Sequence, residues 1–263
     1  MNNVNKTLYI PLYGKAIVSK KGVILSDPKA EQIWAAEGFA LNGKSASKWL
    51  AYYMGMRAAV FDQWLVQQLQ ANPETVVLHI GCGMDSRIQR VGYPAGCRWF
   101  DIDFPAVIEE RRRYYTETEQ YHMVGADVCT DGWLAALPET DRAVVVMEGV
   151  SMYFIPQQLQ ALLQQLNGRF KQLNLLLDCY TTFAARASKY KNPINDVGVT
   201  TVYGMDEPEA LAHAAGLAFI KEHPMTPTHL IDQLQGLERA VFRKVFAGSF
   251  ARRMYRLYEY TGG

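Results

Sequence analysis

The sequence has little of what marks a disulfide-stabilised, metal-binding or polyanion-binding protein. Its 263 residues include only four cysteines, and none of these stands in a CxxC pair of the kind that binds zinc. Basic and acidic side chains number 27 and 26, so no excess of positive charge is available to displace counterions from a nucleic acid. We therefore expect neither a disulfide framework nor a metal site, and no nucleic acid as a partner.

The sequence also lacks a long apolar run. Its longest uncharged stretch, residues 149–168, contains five glutamines, an asparagine and a proline, which makes it too polar to span a membrane. Lysines and a proline interrupt the apolar residues of the first 30 positions, so no core of a secretory signal forms there. We expect a cytoplasmic protein without a membrane partner.

The chain changes character at Asn72-Pro73. Upstream the pattern is helical, with an Asp27-Pro28 helix start and a long helix over residues 47–70. Downstream, β-rich runs alternate with helical stretches; the predicted strands are 75–80, 97–102, 121–124, 143–147, 173–177 and 217–221, with helices at 105–119 and 156–165 among them. This alternation predicts an α/β fold, a mostly parallel sheet with helices on both faces. We divide the chain into an N-terminal helical cap, residues 1–72, and a sheet domain, residues 73–263.

The end of the chain departs from this alternation. Apolar periodicity predicts one continuous helix over residues 228–246. The imperfect alternation that follows predicts a final strand over residues 253–260, which we place at an edge of the sheet and antiparallel to the others.

The first predicted strand runs into the sequence GCGMDSR, residues 81–87. Gly81 and Gly83 allow a ligand to approach the backbone closely, but the third glycine of a dinucleotide-binding loop is replaced by Ser86. A pyrophosphate at this helix start would also face the carboxylate of Asp85, against the usual attraction of anions to a helix N-terminus. S-adenosylmethionine (SAM) has a sulfonium cation and no phosphate, so the loop favours SAM over NAD or FAD.

Acidic residues also stand at the ends of the next three strands. Asp103 lies 20 residues after Gly83, a distance at which an acid accepts hydrogen bonds from ribose hydroxyls in NAD and SAM enzymes alike. Asp127-Val128 suits an adenine ring, and Glu148 follows the fourth strand. Because ligands of open α/β sheets bind beyond the carboxyl ends of the strands, these acids together predict a nucleoside site.

Several runs resemble the leucine carboxyl methyltransferase family and its bacterial relatives, the polyketide O-methyltransferases of the tetracenomycin type. These are GCGMDSR (81–87), WFDIDFPAVIEERR (99–112), ADV (126–128) and MEGVSMYF (147–154), with LYGKAIVSKKGVILSDPKA (12–30) near the start. The resemblance implies a class I SAM-dependent methyltransferase (Rossmann-like), with a seven-stranded sheet, an N-terminal helical cap and S-adenosylhomocysteine (SAH) as the cofactor product.

The resemblance also assigns roles to single residues. Arg57 corresponds to the arginine that pairs with the cofactor's carboxylate, which agrees with the bidentate geometry of a guanidinium. The other cofactor residues that it implies are Lys15, Gly81, Gly83, Asp103 for the ribose, Asp127 and Val128 for the adenine, and Glu148 for the amino-acid end. Family members usually have an acid two residues before the first glycine, where this chain has His79. We interpret His79 as a core histidine bonded to the backbone.

The methyl acceptor is less well defined. Tyr153, in the family-like run, is the candidate catalytic residue, while Tyr180, Arg186 and Tyr203 are candidates for the acceptor pocket. No His–Asp pair stands out as a general base, which favours a carboxylate acceptor because it is already ionised at pH 7.

The sequence therefore predicts an enzyme, an O-methyltransferase acting on a carboxylate or hydroxyl of a small metabolite. Three alternatives remain: a methyltransferase for a protein's C-terminal carboxylate, an NAD-dependent Rossmann oxidoreductase, and a non-catalytic regulator that binds SAM. We expect a monomer or a homodimer.

Overall fold

The computed structural model describes residues 8–38, 41, 43–188 and 201–263. Its helices and strands follow in chain order: α1 Tyr9–Lys20, α2 Pro28–Glu37, α3 Lys48–Ala71, β1 Val76–Ile80, α4 Arg87–Val91, β2 Arg98–Asp103, α5 Pro105–Arg111, β3 Tyr121–Gly125, β4 Arg142–Met147, α6 Pro156–Arg169, β5 Gln172–Tyr180, α7 Thr182–Ser188, α8 Pro208–Ala215, β6 Ala218–His223, α9 Thr228–Ile231, α10 Gly236–Val241, α11 Ser249–Arg252 and β7 Tyr255–Gly262. Short 3₁₀ turns lie at Gly43–Ala46, Trp133–Ala136 and Ser151–Tyr153, and a π-helical turn lies at Phe242–Phe246.

The strands form one seven-stranded sheet in the order β3-β2-β1-β4-β5-β7-β6. β1 to β5 pair in parallel, and β7 is antiparallel to both of its neighbours. The chain moves outward from β1 to β3 and then returns to place β4 on the other side of β1. The direction of winding therefore reverses between β1 and β4, and this switch point is where an open α/β sheet leaves a crevice for a ligand.

Both faces of the sheet are buried, as the continuous apolar runs of its central strands require. Along β1, Val77 points into a core formed with the N-terminal helices, whereas Leu78 points into the opposite core with α6 and α8. Tyr52 and Phe61 of α3 belong to the same buried core as Val77. The predicted α/β architecture with covered faces is confirmed, and the N-terminal helices share a core with the sheet.

The last strand does not lie at an edge of the sheet. β7 pairs with β5 on one side and β6 on the other, so its predicted antiparallel direction is correct but its predicted edge position is wrong. The reason is burial: Leu257, Tyr258 and Tyr260 are all 0% exposed, and a strand this apolar needs partners on both sides. The edge is β6, whose side chains are mostly exposed or half-buried.

The helix predicted over residues 228–246 is interrupted. α9 ends at Ile231, and α10 begins at Gly236, which has a φ of +51°. That left-handed conformation cannot occur inside a right-handed helix, so the apolar periodicity continues across a break in the backbone. The helix predicted over residues 105–119 is also shorter and ends at Arg111.

The N-terminal helices α2 and α3 begin as the sequence predicts. Asp27 caps α2, since its carboxylate accepts a hydrogen bond from the backbone N–H of Ala30 at 2.9 Å. Among the helices that the structure describes, none combines the length and the apolarity needed to cross a bilayer. Residues 1–7 of the predicted cap lie outside the described residues, and its boundary at residue 72 stays a prediction.

α1 and α3 pack closely because each carries a glycine at their contact. A Cβ atom on Gly14 would lie 2.8 Å from the Cβ of Met54 and 3.1 Å from the carbonyl oxygen of Ala51. A Cβ atom on Gly55 would lie 2.8 Å from a methyl group of Val18. The two helices could not keep this distance with larger residues.

We predict that Gly14→Ala destabilises the protein by about 1–3 kcal/mol through overpacking, although alanine gains about 1 kcal/mol in helix propensity. Urea unfolding measures the change. Gly168→Ala in α6 is the matched control, since its Cβ would meet nothing within 4 Å. The control should be neutral or more stable, and equal stability of the two variants would contradict the packing argument.

Candidate functional site

A cavity of about 450 Å³ opens at the switch point, a volume in the range of ligand-binding pockets. The loops after β1, β2 and β4 and the last residue of β5 form its floor, and α1, α3 and the π-helical turn form its walls. The charged or polar lining residues include Lys15, Arg57, Asp103 and Glu148, all of which the sequence had singled out. Much of the rest is apolar; examples are Leu50, Met54, Phe104, Val150, Met152, Val245 and Phe246.

The loop after β1 requires its two glycines. Gly81 and Gly83 have φ angles of +69° and +50°, and a Cβ atom on Gly81 would lie 2.7 Å from the side chain of Val150. The loop is held by Asp103, whose two carboxylate oxygens accept from the backbone N–H groups of Gly83 and Phe104, each at 2.8 Å. Burial raises the pKa of Asp103. Glycine loop and acid thus form one rigid unit on the cavity floor.

Lys15 and Asp85 form a buried pair beside this loop. The Lys15 Nζ lies 3.1 Å from one Asp85 oxygen, and Arg90 Nη1 lies 2.7 Å from the same oxygen. Burial alone would raise the pKa of Asp85, but Arg90, Lys15 and Arg87 hold it well below its usual range. Asp85 is therefore ionised, and three neighbouring cations compensate its charge. An anionic ligand there would meet a paired carboxylate and not a free one.

Arg57, on α3, also lines the cavity and is 4% exposed. Its Nε donates to Glu148 Oε1 at 3.0 Å, and its Nη1 lies 3.2 Å from Asp178 Oδ2 and 2.9 Å from the hydroxyl of Tyr255. Glu148 also accepts from Arg87. Although burial opposes it, Arg57 and Arg87 lower the pKa of Glu148 to about 2. The cavity lining therefore has a cation, Arg57, and an anion, Glu148, side by side.

Asp178 is a residue that the sequence reasoning missed. One of its oxygens accepts from the backbone N–H of Gly149 at 2.7 Å, and the other accepts from the Tyr255 hydroxyl at 2.9 Å. Burial raises its pKa to about 6, against the effect of Arg57. The criterion that identified the other acids, an acidic residue at the end of a predicted strand, also applies to Asp178, which directly follows the predicted strand 173–177.

His79 is buried, as expected, but its partners are side chains and not the backbone. Its Nδ1 lies 3.0 Å from Asp101 Oδ1, and its Nε2 lies 3.3 Å from an Arg87 nitrogen. Asp101 also pairs with the fully buried Arg111, which donates to the carbonyl oxygen of Gly83 at 2.9 Å. The network therefore supports the glycine loop from below.

The remaining sequence candidates are distributed unevenly. Tyr153 and Tyr180 line the cavity. Arg186 is exposed on α7 and outside the lining of this cavity, and Tyr203 lines a separate cavity of about 270 Å³; their assignment to the acceptor stays a prediction. Asp127 and Val128 follow β3 outside the lining residues, but the N–H of their neighbour Ala126 donates to the Asp103 carbonyl at 2.8 Å. They thus lie next to the ribose candidate.

We predict that the free energy of unfolding at acid pH depends on the ionisation of Asp101 in this network. Burial opposes ionisation, but Arg111 and His79 lower the Asp101 pKa to about 2, from an ordinary value of 3.8. Its stabilisation, about 2 kcal/mol, is present above pH 3.8 and is lost as the pH falls through 2. Asp101→Asn, which leaves Arg111 without its charged partner, should cost about 3–5 kcal/mol at pH 7.

Urea unfolding from pH 7 to pH 2 tests this prediction. The gap in unfolding free energy between wild type and Asp101→Asn should narrow below pH 4, because only the wild type loses the Asp101 contribution there. A gap that is constant over this range would contradict it.

Comparisons with known proteins show the family to which the chain belongs. A sequence profile of leucine carboxyl methyltransferase matches residues 5–167. The tetracenomycin polyketide synthesis O-methyltransferase TcmP of Streptomyces glaucescens is 28% identical over 264 residues, which span 99% of this chain and 97% of that protein. The S-adenosyl-L-methionine-dependent methyltransferase dpfgK of Gibberella zeae is 26% identical over 242 residues, which span 83% of this chain and 81% of that protein.

Solved structures show the same fold. Human N-acetylserotonin methyltransferase in complex with SAM has a TM-score of 0.50 and 16% identity, covering 88% of this chain and 58% of that chain. Magnesium protoporphyrin IX methyltransferase (ChlM) from Synechocystis PCC 6803 with bound SAM has a TM-score of 0.51 and 13% identity, covering 89% and 90%. The predicted methyltransferase fold is confirmed. Because the profile match covers more than half of the sequence, the chain belongs to the leucine carboxyl methyltransferase family.

Proposed function

We propose that this enzyme transfers the methyl group of SAM to a carboxylate or hydroxyl oxygen of a small, largely apolar metabolite. The observation that carries the proposal is that one cavity is lined by the Arg57–Glu148 pair and by Asp103, which is hydrogen-bonded to the glycine loop. The amino-acid end of SAM carries a carboxylate and an ammonium group, which need a cation and an anion side by side. Its ribose needs a hydrogen-bond acceptor.

The residues present fit this cofactor. Arg57 would bind the carboxylate through Nη2, since Nε and Nη1 donate to Glu148, Asp178 and Tyr255. Glu148 would accept from the ammonium group. Each Asp103 oxygen accepts one backbone N–H and has further lone pairs for the ribose hydroxyls. We assign Asp127 and Val128 to the adenine, because their segment is bonded to the backbone of Asp103. Gly81 and Gly83 let the ligand approach the backbone, and Lys15 positions the loop through Asp85.

SAM supplies an electrophilic methyl group, so the protein's task is to bind, orient and desolvate the acceptor. The apolar wall, which includes Met54, Val150, Met152 and Phe246, excludes water from the cavity and accommodates an apolar body. Tyr153, half-exposed at the cavity, is placed to contact the acceptor. We assign Tyr180 to the acceptor pocket as well.

The character of the cavity favours a small-molecule acceptor over a protein's C-terminal carboxylate. The relative at 28% identity is named as an O-methyltransferase of polyketide synthesis, which supports a small-molecule acceptor here. Membership of a methyltransferase family leaves the NAD-dependent oxidoreductase without support. We further propose a cytoplasmic location and a monomeric or homodimeric state. Methyl transfer to an acceptor would distinguish the proposed enzyme from a regulator that only binds SAM.

We predict that Arg57→Ala and Asp103→Ala each weaken SAM and SAH binding tenfold or more, since each removes charge-assisted hydrogen bonds worth about 1.5–3 kcal/mol. Isothermal titration calorimetry with SAM, SAH and NAD measures the change. Arg113→Ala in the exposed turn after α5 is the control, because its side chain is 58% exposed and pairs with Glu110. Binding of NAD without SAM, or unchanged affinity in both variants, would contradict the site.

Methyl transfer itself can be followed with SAM labelled with tritium in the methyl group and a panel of aromatic acids and phenols. A methyl ester releases labelled methanol in base, whereas a methyl ether retains its label. Label that enters either product supports O-methylation. Binding of SAM without transfer to any acceptor of the panel would favour the regulator.

A further inference from the structure

The switch-point cavity has a neighbour, a side cavity of about 360 Å³. The side cavity is lined by the end of β6 and the residues that follow it, by the π-helical turn and by α11. Four residues line both cavities, and none of them is among those assigned above to the cofactor: Tyr53, Phe246, Ala251 and Tyr255. These four residues form the boundary between the two cavities.

Phe246 is the boundary residue whose ring is not held by a hydrogen bond of its own. Ala251 carries only a methyl group, and Tyr255 is held in place by the two hydrogen bonds of its hydroxyl, each of 2.9 Å. The ring of Phe246 contacts that of Tyr53, with the ring centroids 5.7 Å apart. The apolar part of the boundary is therefore a contact between two aromatic rings, one from the π-helical turn and one from α3.

The π-helical turn holds the Phe246 ring in this position. The N–H of Ala247 donates to the carbonyl oxygen of Phe242 at 2.8 Å, which is the i→i+5 hydrogen bond of a π-turn. Phe242 is fully buried, and its ring stacks on that of Phe246 with the centroids 4.5 Å apart. The carbonyl oxygen of Phe246 accepts from the hydroxyl of the buried Thr226 at 2.9 Å. Backbone and ring are thus both fixed, and turns of this kind are frequent at functional sites.

We propose that Phe246 limits the size of the methyl acceptor by closing the switch-point cavity off from the side cavity. The inference rests on the proposed function and names, within the apolar wall described there, the residue that sets acceptor specificity. An acceptor that ends at the Phe246 ring buries its apolar surface against it. A longer acceptor has to displace a ring that is packed on Phe242, and a close-packed side chain has little free volume to move into.

Removing the Phe246 ring would join the two cavities. The side cavity can receive an uncharged ring, since its lining includes Met225 and the methyl group of Ala251. Its charged residues Glu222 and Arg252 pair with each other at 3.1 Å, so a ring that enters beside them leaves neither charge without a partner. The structure therefore provides the space that a longer acceptor would use.

Two rod-shaped acids that differ by one phenyl ring test the proposal, namely biphenyl-4-carboxylic acid and p-terphenyl-4-carboxylic acid. Their binding is measured by isothermal titration calorimetry on protein saturated with SAH, which keeps their carboxylates away from Arg57. We expect wild type to bind the biphenyl acid about tenfold or more tightly than the terphenyl acid, because pockets discriminate strongly against added groups that do not fit. Phe246→Ala should bind the terphenyl acid about tenfold or more tightly than wild type does, the gain expected from burying one more phenyl ring.

Val245→Ala is the matched control, because Val245 lies on the same turn and lines the switch-point cavity but not the side cavity. It should keep the wild-type order of the two acids. Phe246→Leu is a second variant that keeps an apolar side chain against Phe242, and it should give a smaller gain in the same direction. SAH affinity close to that of wild type shows that each variant keeps the folded site.

A crystal structure of Phe246→Ala with SAH and the terphenyl acid locates the third ring, which we expect in the side cavity beside Met225. The proposal is overturned if wild type and both Phe246 variants prefer the same acid by the same factor, or if Val245→Ala gains affinity for the longer acid as well. It is also overturned if neither acid binds to the wild-type complex with SAH, or if the third ring points into solvent. Failure of the proposed function itself has a different signature, namely wild-type protein that does not bind SAH.

Discussion

The candidate site depends on one buried cation, the guanidinium of Arg57. Removing such a charge from water costs several kcal/mol, so the fold must surround it with acceptors at good geometry. Glu148, Asp178 and Tyr255 provide them from the loop after β4, from β5 and from β7. The same bonds that make the charge tolerable also fix its position. A ligand carboxylate would therefore meet a cation that is already oriented, which is how a protein keeps reorganisation small during binding and reaction.

Topology explains why these groups can meet. Parallel strands carry their carboxyl ends to one edge of the sheet, and the reversal between β1 and β4 opens a crevice there. A second buried network extends below the crevice, where Asp101 and Arg111 join strand β2 to helix α5 and to the carbonyl of Gly83. The glycine loop is thus held from both sides, by Asp103 at its N–H and by Arg111 at its carbonyl. The floor and the wall of the cavity are rigid for the same reason, because a buried charge must keep its hydrogen-bond partners and so has few other positions available.

The sequence predicted those parts of the site that depend on local order. Four site residues stand at or next to strand ends: Gly81, Gly83, Asp103 and Glu148. Because the carboxyl ends of parallel strands lie along one edge of the sheet, the place of such a residue in the sequence also predicts its place at that edge. Partners that are distant in sequence could not be read in this way: Asp178 and Tyr255 are 77 residues apart, and Arg57 is 121 residues from Asp178. Whether Asp85 is a free acid depends on Lys15 and Arg90, which only the folded chain brings to it. The same limitation misplaced β7, since the pairing order of strands is set by tertiary packing.

In the proposed site, Arg57 and Asp103 receive the two ends of one cofactor molecule. A crystal structure of the wild-type protein with bound SAH tests this most directly. We expect the SAH carboxylate within about 2.7–3.2 Å of the Arg57 guanidinium and the ribose hydroxyls at the same distance from Asp103. SAH bound elsewhere in the fold, or bound in this cavity with its carboxylate away from Arg57, would contradict it.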